Sequence, residues 1–137
     1  MMKYAIGQAV PRTEDPRLLR GNGRYVDDVN MVNQTYAVMV RSPYPHAEIK
    51  GIDSSAAEAM PGVIAVLTGA DYAADGLGFV VGGSPHKKRD GSPMFRPPRP
   101  AITNDRVRHV GQIVAVVVAE SVNIAKDAAE MVEVDYD

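Results

Sequence analysis

Apolar and polar residues alternate with two different periods along this chain, and each period predicts an element. From Gln34 to Ser42, Tyr36, Val38 and Val40 alternate with Ala37 and Met39. Both faces are largely apolar, which predicts a well-covered strand. Pro43 and Pro45 stop it, because proline donates nothing to a ladder. A short strand is expected over Ala47–Ile52. Ser55 and Glu58 then have capping-box spacing, and Ala56, Ala57 and Ala59 favour a helix. Pro61-Gly62 ends that helix, since the residue before proline avoids the α region. Val63–Leu67 reads as an apolar strand, Thr68–Tyr72 as one helical turn, and Val107–Val110 as a short strand. Gln112–Ala119 is the strongest strand, β-branched on both faces and therefore central. Ser121 is placed to cap a last helix. In it Val122, Ala125, Ala129 and Val132 face inward, while Lys126, Asp127, Glu130 and Glu133 face away. The closing VEVDYD alternates like a strand. A strand pattern running to Asp137 is also what a chain cut at a domain boundary looks like. About five strands in a mixed sheet with two to three helices predict an α+β domain over 29–137.

Two stretches carry no such period. The first is an extended arm over 1–28, whose Ile6–Asp28 part mixes dense charge with three glycines and two prolines. The second is 75–100, with five glycines and five prolines. A loop of that length marks either function or disorder.

Composition narrows the classes. The chain has 137 residues, an apolar fraction of 45%, a charged fraction of 23% and a net charge of −2. That suits one globular domain with no global pull toward nucleic acid or membrane. No apolar run is long enough to span a bilayer, and no secretory signal pattern opens the chain. There is no cysteine, hence no disulfide and no thiolate site, which suits the cytoplasm. Charge is uneven: Glu120–Asp137 holds six acids against one lysine, a balance of −5. Asp75–Pro100 holds five basic residues against two acids, a balance of +3.

Candidate chemistry is sparse. His46, His86 and His109 lie in separate segments without metal-site spacing. His46 reads as structural, His86 as solvated, and His109 as a satisfied half-buried ring. Glu14-Asp15 and Asp27-Asp28 are carboxylate pairs, but neighbours on extended chain point apart. Turn-forming or ion-pairing roles with Arg12, Arg17, Arg20 and Arg24 are expected instead. Gly21 and Gly23 neither follow a strand nor open a helix, so they are no nucleotide fingerprint. Gly82-Gly83-Ser84 could form an anion nest or simply a turn. The basic PHKKRDG loop with Phe95 is a weak nucleic-acid signal. No nucleophile, base and oxyanion set assembles.

Five ordered blocks carry a resemblance. The arm resembles R-x-E-D-x-x-L-L-x-G-x-G-x-Y-x-x-D, here Arg12, Glu14, Asp15, Leu18, Leu19, Gly21, Gly23, Tyr25 and Asp28. RSPYPHAEI (41–49), IDSSAAEAMPGVIAVLTGAD (52–71), DRVRHVGQIVAVVVAES (105–121) and AKDAAEMVEVDYD (125–137) follow. Together they resemble the opening domain of the molybdenum hydroxylase large subunit, the family of xanthine dehydrogenase, aldehyde oxidase and aerobic carbon monoxide dehydrogenase. The resemblance implies an α/β hammerhead fold. It implies that the full subunit binds molybdopterin, in its cytosine dinucleotide form, and oxidises a substrate with water-derived oxygen. Electrons would leave through iron–sulfur clusters and FAD on partner subunits. No catalytic, cofactor or metal residue falls in this chain by that resemblance. The nine arm residues become a docking arm, with Leu18 and Leu19 as apolar anchors and Gly21 and Gly23 allowing tight turns. Partners would be the remaining molybdenum-binding domains and the iron–sulfur and flavin subunits. Departures from the family pattern are a missing glycine in Asn30–Gln34, Pro45, Glu48 and Ile113. An alternative is a stand-alone adaptor that reuses the fold to hold a partner.

Overall fold

The structure is a computed structural model of the chain and describes residues 7, 9–80, 82 and 86–137. Ile6, Gln8, Gly83 and Ser84, parts of the arm and of the candidate nest, lie outside the described residues. The chain divides into two compact units, one reaching to Gln34 and one from Thr35 to Asp137.

The first unit is built on two short turns. Helix α1 is Asp15–Leu18, with Pro16 near its start where its missing N–H costs nothing. Two bonds close it: Gly21 N–H donates to Leu18 O and Asn22 N–H to Arg17 O, each 3.0 Å. This is the Schellman arrangement, and Gly21 holds the positive φ it needs, +73°. A 3-10 turn follows at Val26–Asp28. Further on, Asn33 adopts φ +60°. That answers the missing glycine: asparagine is the side chain that best tolerates the left-handed region.

The second unit contains six strands, β1 Tyr36–Arg41, β2 Ala47–Asp53, β3 Val63–Thr68, β4 Arg106–Val107, β5 Ile113–Ala119 and β6 Glu133–Tyr136. The α+β class holds. The strands form two antiparallel three-stranded sheets, ordered β1-β5-β3 and β4-β2-β6, rather than one mixed sheet of about five. The Pro43/Pro45 break explains the split, since it frees the chain to cross between sheets after β1. The Val107–Val110 expectation shortens to Arg106–Val107. There Gly111, at φ +83°, turns the chain tightly, and Gln112 Oε1 takes the Arg108 N–H at 2.6 Å.

Helices α2 Ser55–Glu58, α3 Gly69–Ala74 and α4 Val122–Glu130 complete the unit. The expected Ser55/Glu58 box is corrected: Ser55 donates to Asp53 Oδ1 through N–H (3.0 Å) and hydroxyl (2.6 Å), and Glu58 takes the Ser54 hydroxyl at 2.6 Å. Asp53 captures Ser55 before it can cap. The reciprocal box is on α3, where Thr68 and Asp71 cap each other. Ser121 caps α4 as expected, accepting from Ile124 N–H at 3.2 Å. The inward stripe of α4 is Ala125, Ala128 and Ala129, continued by Val132, whereas Val122, in the first turn, is exposed.

Alternation on β5 divides the core. Ala115 and Val117 pack with Val66, Ala57, Ala128 and Val132 between sheet and helices. Val114 packs with Ala47 and Val107 between the sheets. Val40, Ile52 and Val134 touch both clusters. On the β1-β5-β3 sheet, Met39, Val116 and Leu67 stand in one cross-strand row, and Met39 and Leu67 stay exposed.

Candidate functional site

The nine arm residues fall in one unit, and local chemistry explains most of them. Arg12 Nε meets Asp15 Oδ1 at 3.1 Å and Arg17 Nη2 meets Glu14 Oε1 at 3.8 Å, both one helical turn apart. Such exposed pairs contribute under about 1 kcal/mol each, so they shape the turn more than they stabilise it. Arg20 and Arg24 form no ion pair among the described residues. Asp28 Oδ2 accepts from Tyr25 N–H at 2.9 Å, tying the 3-10 turn. Leu18 is half-buried, and a Cβ built on Gly23 would lie 2.9 Å from Leu18 Cδ2. Gly23 therefore clears a seat for Leu18 and has no positive φ, unlike Gly21. Leu19 points the other way and is 86% exposed. Tyr25, Val26, Met31 and Val32 are exposed as well. The local fold thus turns apolar side chains outward and leaves them uncovered within their own unit.

The second unit carries a charged cluster and two clefts. Glu48, from β2, pairs with Arg106 of β4 and with Lys50 Nζ at 2.8 Å. Lys50 Nζ also meets Asp137 Oδ2 at 3.2 Å. The Lys50 ammonium, then Arg106, holds the Glu48 carboxyl below its ordinary range. Glu48 and Asp137 raise Lys50. The acid at position 48 is therefore matched by two cations of its own sheet, and the cluster is structural. Asp53 and Asp71 are lowered by hydrogen bonds from Ser55 and Thr68, as cap carboxylates should be.

Described residues of the 75–100 loop, Phe79, Val80, His86, Met94, Phe95 and Arg96 among them, line a cleft of about 710 Å³. A second cleft of about 520 Å³ is lined by Arg41, Arg99, Arg108 and His109 against Pro97, Pro98, Pro100 and Ile113. Sequence reading missed this cationic group, because its members come from β1, the long loop and the 108–112 turn. His109 is exposed, which corrects the half-buried reading: the Gly111 turn swings it out, and Val107 fills the interior instead. His46 is exposed too. Among the described residues no group of three or more His, Cys, Asp or Glu could hold a metal ion. Among them no helix is long and apolar enough to cross a membrane.

Comparison with known proteins adds relatives. Residues 20–137 match the family described as aldehyde oxidase and xanthine dehydrogenase, a/b hammerhead domain. The nicotine 6-hydroxylase large subunit of Paenarthrobacter nicotinovorans is 43% identical over 135 residues, covering 98% of this chain and 16% of that protein. The carbon monoxide dehydrogenase large chain of Afipia carboxidovorans is 40% identical over 126 residues, covering 92% of this chain and 14% of its own length. The crystal structure of quinoline 2-oxidoreductase from Pseudomonas putida 86 superposes with a TM-score of 0.80 at 40% identity, over 99% of this chain and 16% of that one. The chain spans a small part of the relatives it matches.

Proposed function

Because the chain belongs to the aldehyde oxidase and xanthine dehydrogenase family, as its a/b hammerhead domain, we propose that it is the N-terminal structural domain of a molybdopterin-dependent hydroxylase large subunit. In that role it frames the molybdenum domains, contacts the iron–sulfur partner and has no activity alone. The observation that carries this reading is the set of apolar side chains that the arm turns outward, Leu19 foremost. Large exposed apolar groups gathered on one segment mark a surface meant to be covered. The open Met39–Val116–Leu67 row adds a second such surface on the sheet. Arg12, Glu14, Asp15, Leu18, Gly21, Gly23 and Asp28 then act by holding the arm in the shape that presents Leu19 and Tyr25.

The cofactor of the whole enzyme is molybdopterin in its cytosine dinucleotide form, with iron–sulfur clusters and FAD on partner subunits. On this reading the chain contributes position rather than chemistry. The compartment is the cytoplasm, which suits a chain without cysteine.

Leu19→Asp tests the reading. The chain is co-expressed with the remaining large-subunit domains and the iron–sulfur subunit, and the complex is measured by size-exclusion chromatography. Leu19→Asp is expected to lower the yield of complex at least several-fold without shifting the chain's own Tm. Complex formation at the wild-type level would remove the docking role.

A further inference from the structure

We propose that the cleft lined by the 108–113 turn and the Pro97–Ala101 segment binds the phosphate group of a small organic ligand. Three guanidinium groups and an imidazole, from Arg41, Arg99, Arg108 and His109, line it, and no carboxylate does. Two of the guanidinium groups are held by hydrogen bonds. Arg41 Nη1 donates to Gly111 O at 2.9 Å. Arg108 Nη1 donates to Arg106 O at 2.8 Å, and its Nη2 reaches Asp105 Oδ2 at 3.3 Å. Each guanidinium carries five N–H donors, so both keep donors to spare while their positions are fixed. Asp105 offsets part of the Arg108 charge. Arg99 has no ion pair or side-chain hydrogen bond among the described residues. The cleft therefore gathers unbalanced positive charge in a chain whose net charge is −2.

Gathering like charges costs energy, and a bound anion relieves it. Guanidinium forks match phosphate oxygens two at a time, which a lysine surface cannot do. The volume of about 520 Å³ lies in the range of small-molecule sites. Pro97, Pro98, Pro100 and Ile113 also line the cleft and give apolar surface for an organic body. Charge and volume together fit a phosphate ester or diphosphate contacted by Arg41, Arg99 and Arg108.

The test is a titration of the intact chain, at fixed ionic strength, with inorganic phosphate, inorganic pyrophosphate and ADP, read by amide chemical shifts. The expected result is saturable binding of pyrophosphate or ADP, with shifts confined to 97–113 and the Arg41 amide. Equal affinity for both assigns the site to the anion alone, and tighter ADP binding brings in the apolar surface. Arg99→Ala and Arg41→Ala should each weaken binding about tenfold or more, the loss expected for one charge-assisted contact. Lys126→Ala on α4 should change nothing. Arg99 is exposed, so its variant is expected to fold, and circular dichroism checks that. Shifts that do not saturate and extend equally to Lys87–Arg89 overturn the proposal. So does wild-type affinity in both arginine variants.

Discussion

Gly69→Ala separates what local propensity predicts from what the packing predicts. Gly69 opens α3 and has no positive φ, so its backbone accepts alanine. Propensity alone favours alanine over glycine in a helix by about 1 kcal/mol. The surroundings reverse that sign. A Cβ on Gly69 would press against the Thr103 carbonyl oxygen, 2.5 Å from the Thr103 carbonyl carbon and 2.7 Å from Asn104 Cα. All three are backbone atoms and cannot swing aside as a flexible side chain would. Thr103 is buried, donates its N–H to Ile113 O at 3.0 Å, and donates its hydroxyl to Arg106 O at 3.1 Å. Moving it therefore strains the join between 102–104 and β5. Overpacking costs about 1–3 kcal/mol, and a weakened buried hydrogen bond adds about 1–3 kcal/mol. After the propensity gain of about 1 kcal/mol, the expected loss is about 1–5 kcal/mol. Urea unfolding followed by circular dichroism measures it as a lower midpoint at unchanged slope. Gly51→Ala is the control, since nothing lies within 4 Å of its Cβ, and it should stay within about 0.5 kcal/mol. Wild-type or higher stability in Gly69→Ala would refute the reasoning.

Two more expectations follow from the caps. Ser121→Ala removes the acceptor for Ile124 N–H and should cost about 1 kcal/mol, read as a lower urea midpoint, with faster amide exchange in the first turn of α4. Thr68 holds the Asp71 carboxyl below its ordinary range. A depressed carboxylate stabilises the fold above its unfolded pKa, and that contribution is lost as pH falls through the folded value. The α3 cap should therefore weaken only on the acid side of the normal aspartate range. Thr68→Ala should raise the Asp71 pKa in a carboxyl NMR titration, and an unchanged value would contradict the cap.

The strands were legible because a period of two is written directly in the residues. Tyr36–Arg41, Val63–Thr68 and Ile113–Ala119 fall within a residue or two of where alternation in the first and apolar, β-branched runs in the other two put them. Their distribution between two sheets was not, because it depends on pairings such as Tyr36 with Ala119 and Ile52 with Val134. Periodicity within a strand says nothing about its distant neighbour. On α4 the heptad spacing was right, but its phase was off. Val122 precedes the buried stripe, and Ala128, which the pattern passed over, is fully buried. At the arm, charge pairing could be read for Arg12 and Arg17, while the seat that Gly23 clears for Leu18 arises only when the turn brings the two residues together. The cationic cleft was hidden because Arg41, Arg99 and Arg108 meet only after three segments fold together.

The strand order also sets a timetable. β1 and β3 share no bonds with each other; β5 lies between them. The second sheet, too, is incomplete without β6. Both β5 and β6 belong to the last 25 or so residues of this domain, 113–137. At about 5–20 residues per second, β1 waits several seconds for its partner, with its apolar faces open throughout. Helices α2 and α3 are single turns, too short to persist alone. Folding is thus held back until synthesis of the domain is nearly done, and then both sheets can close together. Ribosome-stalled chains ending before Ile113 should be degraded by protease along their whole length, and chains that include Asp137 should not.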